Sequence, residues 1–404
     1  MAEPAGTAAD GGAGHPSRFA ESLWASLPSA LSVGLSLLIC LLMIAVTKGS
    51  LAVAGEAYLE MLQGGLGNFA LFNETGRWTQ FTRPWGESAT KAAILTFTGL
   101  SVAVAYRAGL FNIGAQGQMT VGAITAAVLG AKVPLPWGVH PLLCILGAAV
   151  AGGAYAVLPV VLKLRRGVHE VISTIMLNWV AVSLVENWLV VGPLRASAGA
   201  GQSISGTDQI LATAALPRML EDGSRLHAGF PLALLAALAA WIWLFRTRLG
   251  FETRAMGQNA EAARAAGIPS ARRLIQAMVL AGALAGVAGA ILVLGTEMRF
   301  PATLGAPYGF DGIAIALIGE THPLGVAASA LLFGILRAGG THMQLLGVHK
   351  SFPELIQGLA LLFVAGRLIW QWALTRRPGR TPSVPAAPAA PAAPAAPATS
   401  GGGG

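Results

Sequence analysis

The chain has 404 residues, 54% hydrophobic and only 11% charged, with a mean hydropathy of +0.63. Soluble domains carry about 25% charged residues, so the composition excludes a soluble globular protein and indicates an integral membrane protein. The net charge is +8, yet no long basic run with interleaved aromatics could form a phosphate groove. The arginines gather instead at the ends of apolar segments, as membrane orientation requires, and nucleic acid is not an expected partner.

Residues 1–23 are Ala/Gly-rich and lack the basic n-region and apolar core of a signal peptide. Residues 1–28 are therefore expected to form a cytoplasmic tail ahead of a retained first span. A hydrocarbon core about 30 Å thick takes about 20 apolar residues as helix, and Ser29–Val46 meets that. Residues 47–87, polar with Gly and Trp, read as an ordered external loop. Ser88–Tyr106 is the second expected span, and Phe111–Lys132 the third, interrupted early by Gly114-Ala115-Gln116-Gly117-Gln118. Pro141–Leu162 and Val171–Val191 follow, the second carrying Asn178 and Glu186. These two lie eight residues apart, about 80° past two helical turns, and form a polar stripe toward a pore or a partner subunit. After a Gly/Ser-rich external loop, 193–228, come Phe230–Phe245 and the Gly/Ala-rich Leu274–Leu294, suited to close packing. Phe310–Ile318 and Leu324–Leu336 are shorter, and Leu355–Trp372 is the last. The expectation is an all-α membrane protein of about ten spans, some broken or re-entrant, over residues 29–374. The Pro-Ala-Ala repeats of 375–404 predict an extended, disordered tail. Cys40 and Cys144 fall in apolar segments and read as small buried hydrophobes. Trp179, Trp188, Trp241 and Trp243 read as interface anchors.

Two basic loops, 163–166 and 246–273, lie two spans apart and are placed in the cytoplasm. The alternation then puts both termini inside. Within the second loop, Gly257–Pro269 predicts a short surface helix of about two turns. Asn259 is a good N-cap, Gly267 a good stop, and Pro269 forbids continuation. Ala262, Ala263 and Ala266 would let another protein approach the backbone closely, with Glu261 and Arg264 at the rim.

Asn112, Gln116 and Gln118, with four glycines between Tyr106 and Gly122, crowd a segment at membrane depth. Irregular backbone there is tolerated when buried in protein or lining a wet cavity. Neutral amides suit a polar uncharged solute; equally, they can join helices by hydrogen bonds. Asp311 opens a span and reads either as a functional group or as an N-terminal partner of its helix, or of Arg299. His169, Glu170 and His322 sit at cytoplasmic span ends without the i, i+4 histidine pair of a metal site. No G-x-x-x-x-G-K-[ST] or hydrolase motif occurs, so the chain is not expected to cradle ATP phosphates itself or to be an enzyme.

Asn259–Ile268 resembles the coupling loop of ABC importer permeases, with Glu261-Ala262-Ala263 and Gly267 as the matching core. Gly109-Leu110-Phe111-Asn112-Ile113-Gly114-Ala115-Gln116-Gly117-Gln118 resembles the signature of nucleoside-type permeases in the branched-chain amino acid and simple-sugar importer superfamily. That family usually has Glu where this chain has Gln116. A third similar stretch runs Gly309–Gly319 and continues with Pro323-Leu324-Gly325. The resemblance covers residues 88–365 and implies an ABC importer permease fold in a bacterial plasma membrane. It further implies a cytoplasmic ATP-binding subunit, which holds the ATP and Mg, docked on Gly257, Asn259, Glu261, Ala262, Ala263, Arg264 and Gly267. A second homologous permease and an external solute-binding lipoprotein complete the implied assembly. Phe111, Asn112, Gln116, Gln118, Asn178 and Asp311 are the implied solute path. The competing expectation is a stand-alone ion-coupled transporter, which needs intramembrane ionisable groups of which the chain offers few.

Overall fold

The structure is a computed structural model describing residues 18–196, 206–220, 223–305, 307–349 and 351–366. The expected tail at 375–404, Trp370 and Trp372 lie outside the described residues. Fourteen α-helices account for most of the fold: α1 (Arg18–Lys48), α2 (Leu51–Leu66), α3 (Phe69–Thr75), α4 (Thr79–Arg107), α5 (Ala115–Lys132), α6 (Val139–Arg166) and α7 (Glu170–Val182) form its first half. The second half comprises α8 (Gly229–Arg246), α9 (Arg248–Gln258), α10 (Ala260–Ala265), α11 (Ser270–Leu292), α12 (Tyr308–Ile318), α13 (Pro323–Met343) and α14 (Phe352–Ala365). Helices α7 and α11 continue as π-helical stretches, Ser183–Leu189 and Val293–Glu297. The described residues contain no strand, only the isolated bridges Gly206–Pro301 and Arg218–His227.

Among the described residues, seven helices are long and apolar enough to cross a membrane, which makes this a multi-pass membrane protein. The ten expected spans reduce to seven for a physical reason. Gln116, Gln118 and Lys132 lower the hydropathy of the 18-residue α5, while α12 and α14, at 11 and 14 residues, are short for a bilayer. The expected external loop 47–87 is also corrected. Ser50 caps α2, Asn68 caps α3, and α4 begins at Thr79, nine residues ahead of its expected start. Glu56, Glu60 and Gln63 conceal α2 from a hydropathy reading, though Ala54, Ala57 and Met61 give it a buried face. The helix that carries the first span begins at Arg18, while the span itself runs Ser29–Lys48, starting where the sequence places it.

Burial identifies the centre. In α4, 94% of the most apolar window is buried, against 28% in α8 and 33% in α6, so α4 is an interior helix and the other two lie at the periphery of the chain. Thr96 and Thr98 bond to the helix's own backbone, donating to Ala92 O at 2.7 Å and Ile94 O at 3.3 Å, while Ser88 and Thr90 reach neighbouring segments, donating to Gly65 O at 2.7 Å and Arg225 O at 3.0 Å. Helix α11 packs on α4, α5 and α6 through small residues. A Cβ on Gly122 or Gly152 would collide with the backbone of Gly286 or Gly282, and one on Gly289 with Met119 O. Such contact replaces the hydrophobic drive that lipid cannot supply between helices. Cys40 and Cys144 are fully buried. Trp179 and Trp188 are largely exposed on α7 and its extension.

Candidate functional site

The chain turns sharply between α4 and α5. Gly109 adopts φ +79°, a left-handed conformation that a side chain would strain, and the turn brings Asn112 back over α4. Asn112 donates to Ser101 Oγ at 3.1 Å and to Gln118 Oε1 at 2.9 Å, while its own oxygen accepts from Gln118 Nε2 at 3.0 Å. The two amides therefore close a reciprocal pair, fully buried. Asn178 of α7 braces the other side, accepting from Gly117 N at 2.8 Å and donating to Ile113 O at 2.8 Å. Gln116 accepts from Gly309 N, the start of α12, at 2.8 Å. A glutamate could accept the same bond, so glutamine keeps the acceptor without placing a charge in this buried position. Phe111 is half-buried and packs edge-on against Tyr106.

The same segment grips the far end of α12. Arg107 donates to Thr321 O at 3.1 Å and Glu320 O at 3.0 Å. Glu320 and Thr321 both have φ above +50°, a conformation costly outside glycine, and the guanidinium holds them there. A groove of about 910 Å³, lined by Glu320, His322 and Ser29 among others, opens beside this turn.

Beneath the turn lies the expected docking loop. It is two helices rather than one. Gly257 belongs to the last turn of α9, and its backbone lies directly on the carbonyl of Arg107. Asn259 ends α9 and caps α10, accepting from Glu261 N and Ala262 N at 3.0 Å each. Gly267, at φ +79°, stops the chain as expected. Glu261, Ala262, Arg264 and Ala266 are exposed. Ala263, expected on the surface, is instead buried with Ala108, Met256 and Ala277, because a six-residue helix needs an apolar anchor. Helix α9 is fastened by Glu252, which accepts from Arg273 of α11 at 2.6 Å and from Arg248 at 2.9 Å. The bond from Arg273, followed by that from Arg248, holds this carboxyl below its ordinary range. Phe245 sits between Arg254, 4.8 Å from its ring centroid, and Arg107, 5.8 Å away, with His322 against it at 5.2 Å.

Asp311 is not paired with Arg299. Its partner is Arg337 of α13, which also lies 3.9 Å from Glu354 and stands over the Tyr308 ring. Asp311 nonetheless occupies the first turn of α12, where the helix dipole favours it. Glu186 does not continue the Asn178 stripe into a pore: its carboxylate accepts from Leu304 N at 3.0 Å.

The family described as branched-chain amino acid transport system / permease component matches residues 86–365, which contain all of these contacts. The chain belongs to this family. Among relatives of this permease, the guanosine ABC transporter permease protein NupP of Bacillus subtilis is 38% identical over 285 residues, 69% of this chain and 80% of its own length. The glucose ABC transporter permease protein TsgB13 of Haloferax volcanii is 33% identical over 69% of this chain and 75% of its own. The nucleoside ABC transporter permease protein NupB of Lactococcus lactis is 33% identical over 71% and 80%. No solved structure gives a significant match.

The structure of this permease joins Asn112, Gln116, Gln118 and Asn178 in one cluster and leaves Asp311 two residues beyond Gly309, on α12. Sequence reasoning missed Arg107 and Arg337. Arg107 lies two residues ahead of Gly109, where the motif begins, and Arg337 directly follows an expected span. An arginine so placed within a membrane segment is itself a signal.

Proposed function

We propose that this permease imports nucleosides, using ATP hydrolysed by a separate cytoplasmic subunit that docks on residues 257–268. The observation carrying this reading is α10: six residues, exposed on one side, anchored on the other by Ala263, and seated through Gly257 on the segment that holds both ends of α12. A push on α10 is thus received by Arg107–Gln118 and passed to α12 without a flexible intermediate. The family assignment and the relatives named for guanosine and nucleosides support the solute class.

In this reading a second homologous permease completes the path, an external solute-binding lipoprotein delivers the solute, and ATP and Mg belong to the ATPase. The protein lies in the bacterial plasma membrane with both termini cytoplasmic. Helices α5, α12 and α14 join the seven long helices to give ten crossings, some incomplete. Phe111, Asn112, Gln116, Gln118, Asn178 and Asp311 frame the solute path by fixing α5, α7 and α12 around it. Asp311 is neutralised by Arg337, which weighs against a coupling-ion site there.

Uptake of radiolabelled guanosine tests the reading. Glu261→Lys reverses an exposed charge without disturbing a buried contact and is expected to abolish uptake while membrane levels of the chain stay normal. Gly267→Trp should do the same, with added strain from its φ of +79°. Normal uptake in both variants would refute docking at this loop.

A further inference from the structure

At the end of α11 remote from α10, a cavity of about 270 Å³ opens between the π-helical stretch and α12. The 28 residues of Ser270–Glu297 separate it from the docking loop, about 40 Å at 1.5 Å per residue. Leu292 and Leu304 line it with apolar surface, and Glu297, Thr303 and Tyr308 bring a carboxylate and two hydroxyls. The contrast with the amide cluster is chemical. Asn112, Gln118 and Asn178 are committed to bonds within the fold, whereas the Glu297, Thr303 and Tyr308 side chains make no hydrogen bond among the described residues. Only uncommitted groups can exchange water for a solute without leaving a buried group unpaired.

The cavity is also built to hold its shape. Glu186 fixes the amide of Leu304. Arg337, set by Asp311, stands over the Tyr308 ring with its guanidinium carbon 4.8 Å from the centroid. Met298, the residue after Glu297, has φ +56°, a strained conformation of the kind that gathers at ligand clamps.

We propose that this cavity is the solute-contact site of the permease and that it selects nucleosides. The inference rests on the transport reading above and deepens it. The base lies against the Tyr308 ring, since aromatic stacking accepts any base. The Glu297 carboxylate accepts hydrogen bonds from the two vicinal ribose hydroxyls, a geometry its paired oxygens match, and Thr303 completes the polar side. Arg337 is a positioning residue that acts through Tyr308.

The test uses cells lacking the gene and complemented with the full chain. Glu297→Gln is expected to lose about tenfold or more of the preference for guanosine over 2′,3′-dideoxyguanosine, the worth of a charged hydrogen bond. Tyr308→Leu, which removes the ring, lowers guanosine uptake about tenfold. Because Tyr308→Leu can also fail by misfolding, Thr303→Cys supplies a second reading: a membrane-impermeant maleimide labels it in intact cells, against a low background from the buried Cys40 and Cys144. Guanosine slows that labelling and ribose does not. An unchanged preference in Glu297→Gln, with labelling at 303 indifferent to guanosine while wild-type uptake is intact, overturns the site. Equal protection by ribose overturns the nucleoside class. Equal guanosine uptake with and without the gene overturns the transport reading, and this inference with it.

Discussion

Asp311 and Arg337 show how little a charged residue type reveals until its partner is known. Both side chains are mostly buried, at 13% and 15% exposure, so each is tolerated only because of the other. Asp311→Ala leaves the guanidinium uncompensated and is expected to destabilise the protein by about 3–5 kcal/mol, read as a lower melting temperature in detergent. Replacing both, as Asp311→Leu with Arg337→Met, should recover most of that loss. A double variant as unstable as the single one would show that the pair is not the unit. His227 sits outside the spans in the 193–228 loop, fully buried, its Nδ1 accepting from Gly229 N and its ring flat against Gly295. Burial, reinforced by nearby Arg218, pushes its pKa down to about 4. The unfolded chain, with a pKa near 6.5, binds the proton more readily, so stability is complete above about pH 6.5 and falls as the pH drops toward 4. The loss reaches about 3 kcal/mol at the lower limit. Melting temperatures from pH 4 to 8 should slope in that window for the wild type, and the slope should flatten in His227→Phe. At this scale the amides were legible as a cluster, because their neutral polarity is conspicuous in an apolar segment. Their partners, Ser101 and the backbone of Gly309, were not, because neither residue type stands out in its stretch.

Helix boundaries followed the caps more faithfully than hydropathy. Asn259 and Gly267 delimit α10 as read from the sequence, since capping chemistry is local. The break between α9 and α10 falls at Asn259, which leaves helical geometry, whereas Gly257 closes α9 with its backbone against Arg107 instead of opening the docking helix. Buried Ala263 was unreadable for a similar reason: alanine suits either face, and only the neighbours Ala108, Met256 and Ala277 decide. Among the long helices, α5, α6 and α11 meet at glycines that leave no room for a methyl. Gly286→Val is expected to cost about 1–3 kcal/mol by overpacking, because its Cβ would strike the Ala148 carbonyl oxygen. Gly55, with open space around its Cβ position, is the control: Gly55→Ala should be neutral or slightly stabilising. Thermal denaturation of the two variants side by side distinguishes a packing contact from general helix propensity.

As a whole, the molecule was legible in class and in order of segments. A composition of 11% charged residues and the spacing of apolar runs settle that a bilayer is the solvent. Which runs are central was not legible. The most hidden helix, α4, has a mean window hydropathy of only 1.4, below the 2.1 of peripheral α6, because a helix surrounded by other helices needs small and hydroxylated residues rather than greasy ones. Helix α12 carries the largest consequence of this architecture. Its 11 residues are about 16 Å long, with the Tyr308 cavity at one end and the groove beside Glu320 at the other. Against a hydrocarbon layer about 30 Å thick, the helix covers roughly half of that depth. In the transport reading proposed above, a solute held in the Tyr308 cavity is separated from the groove beside Glu320 by only about three turns of helix.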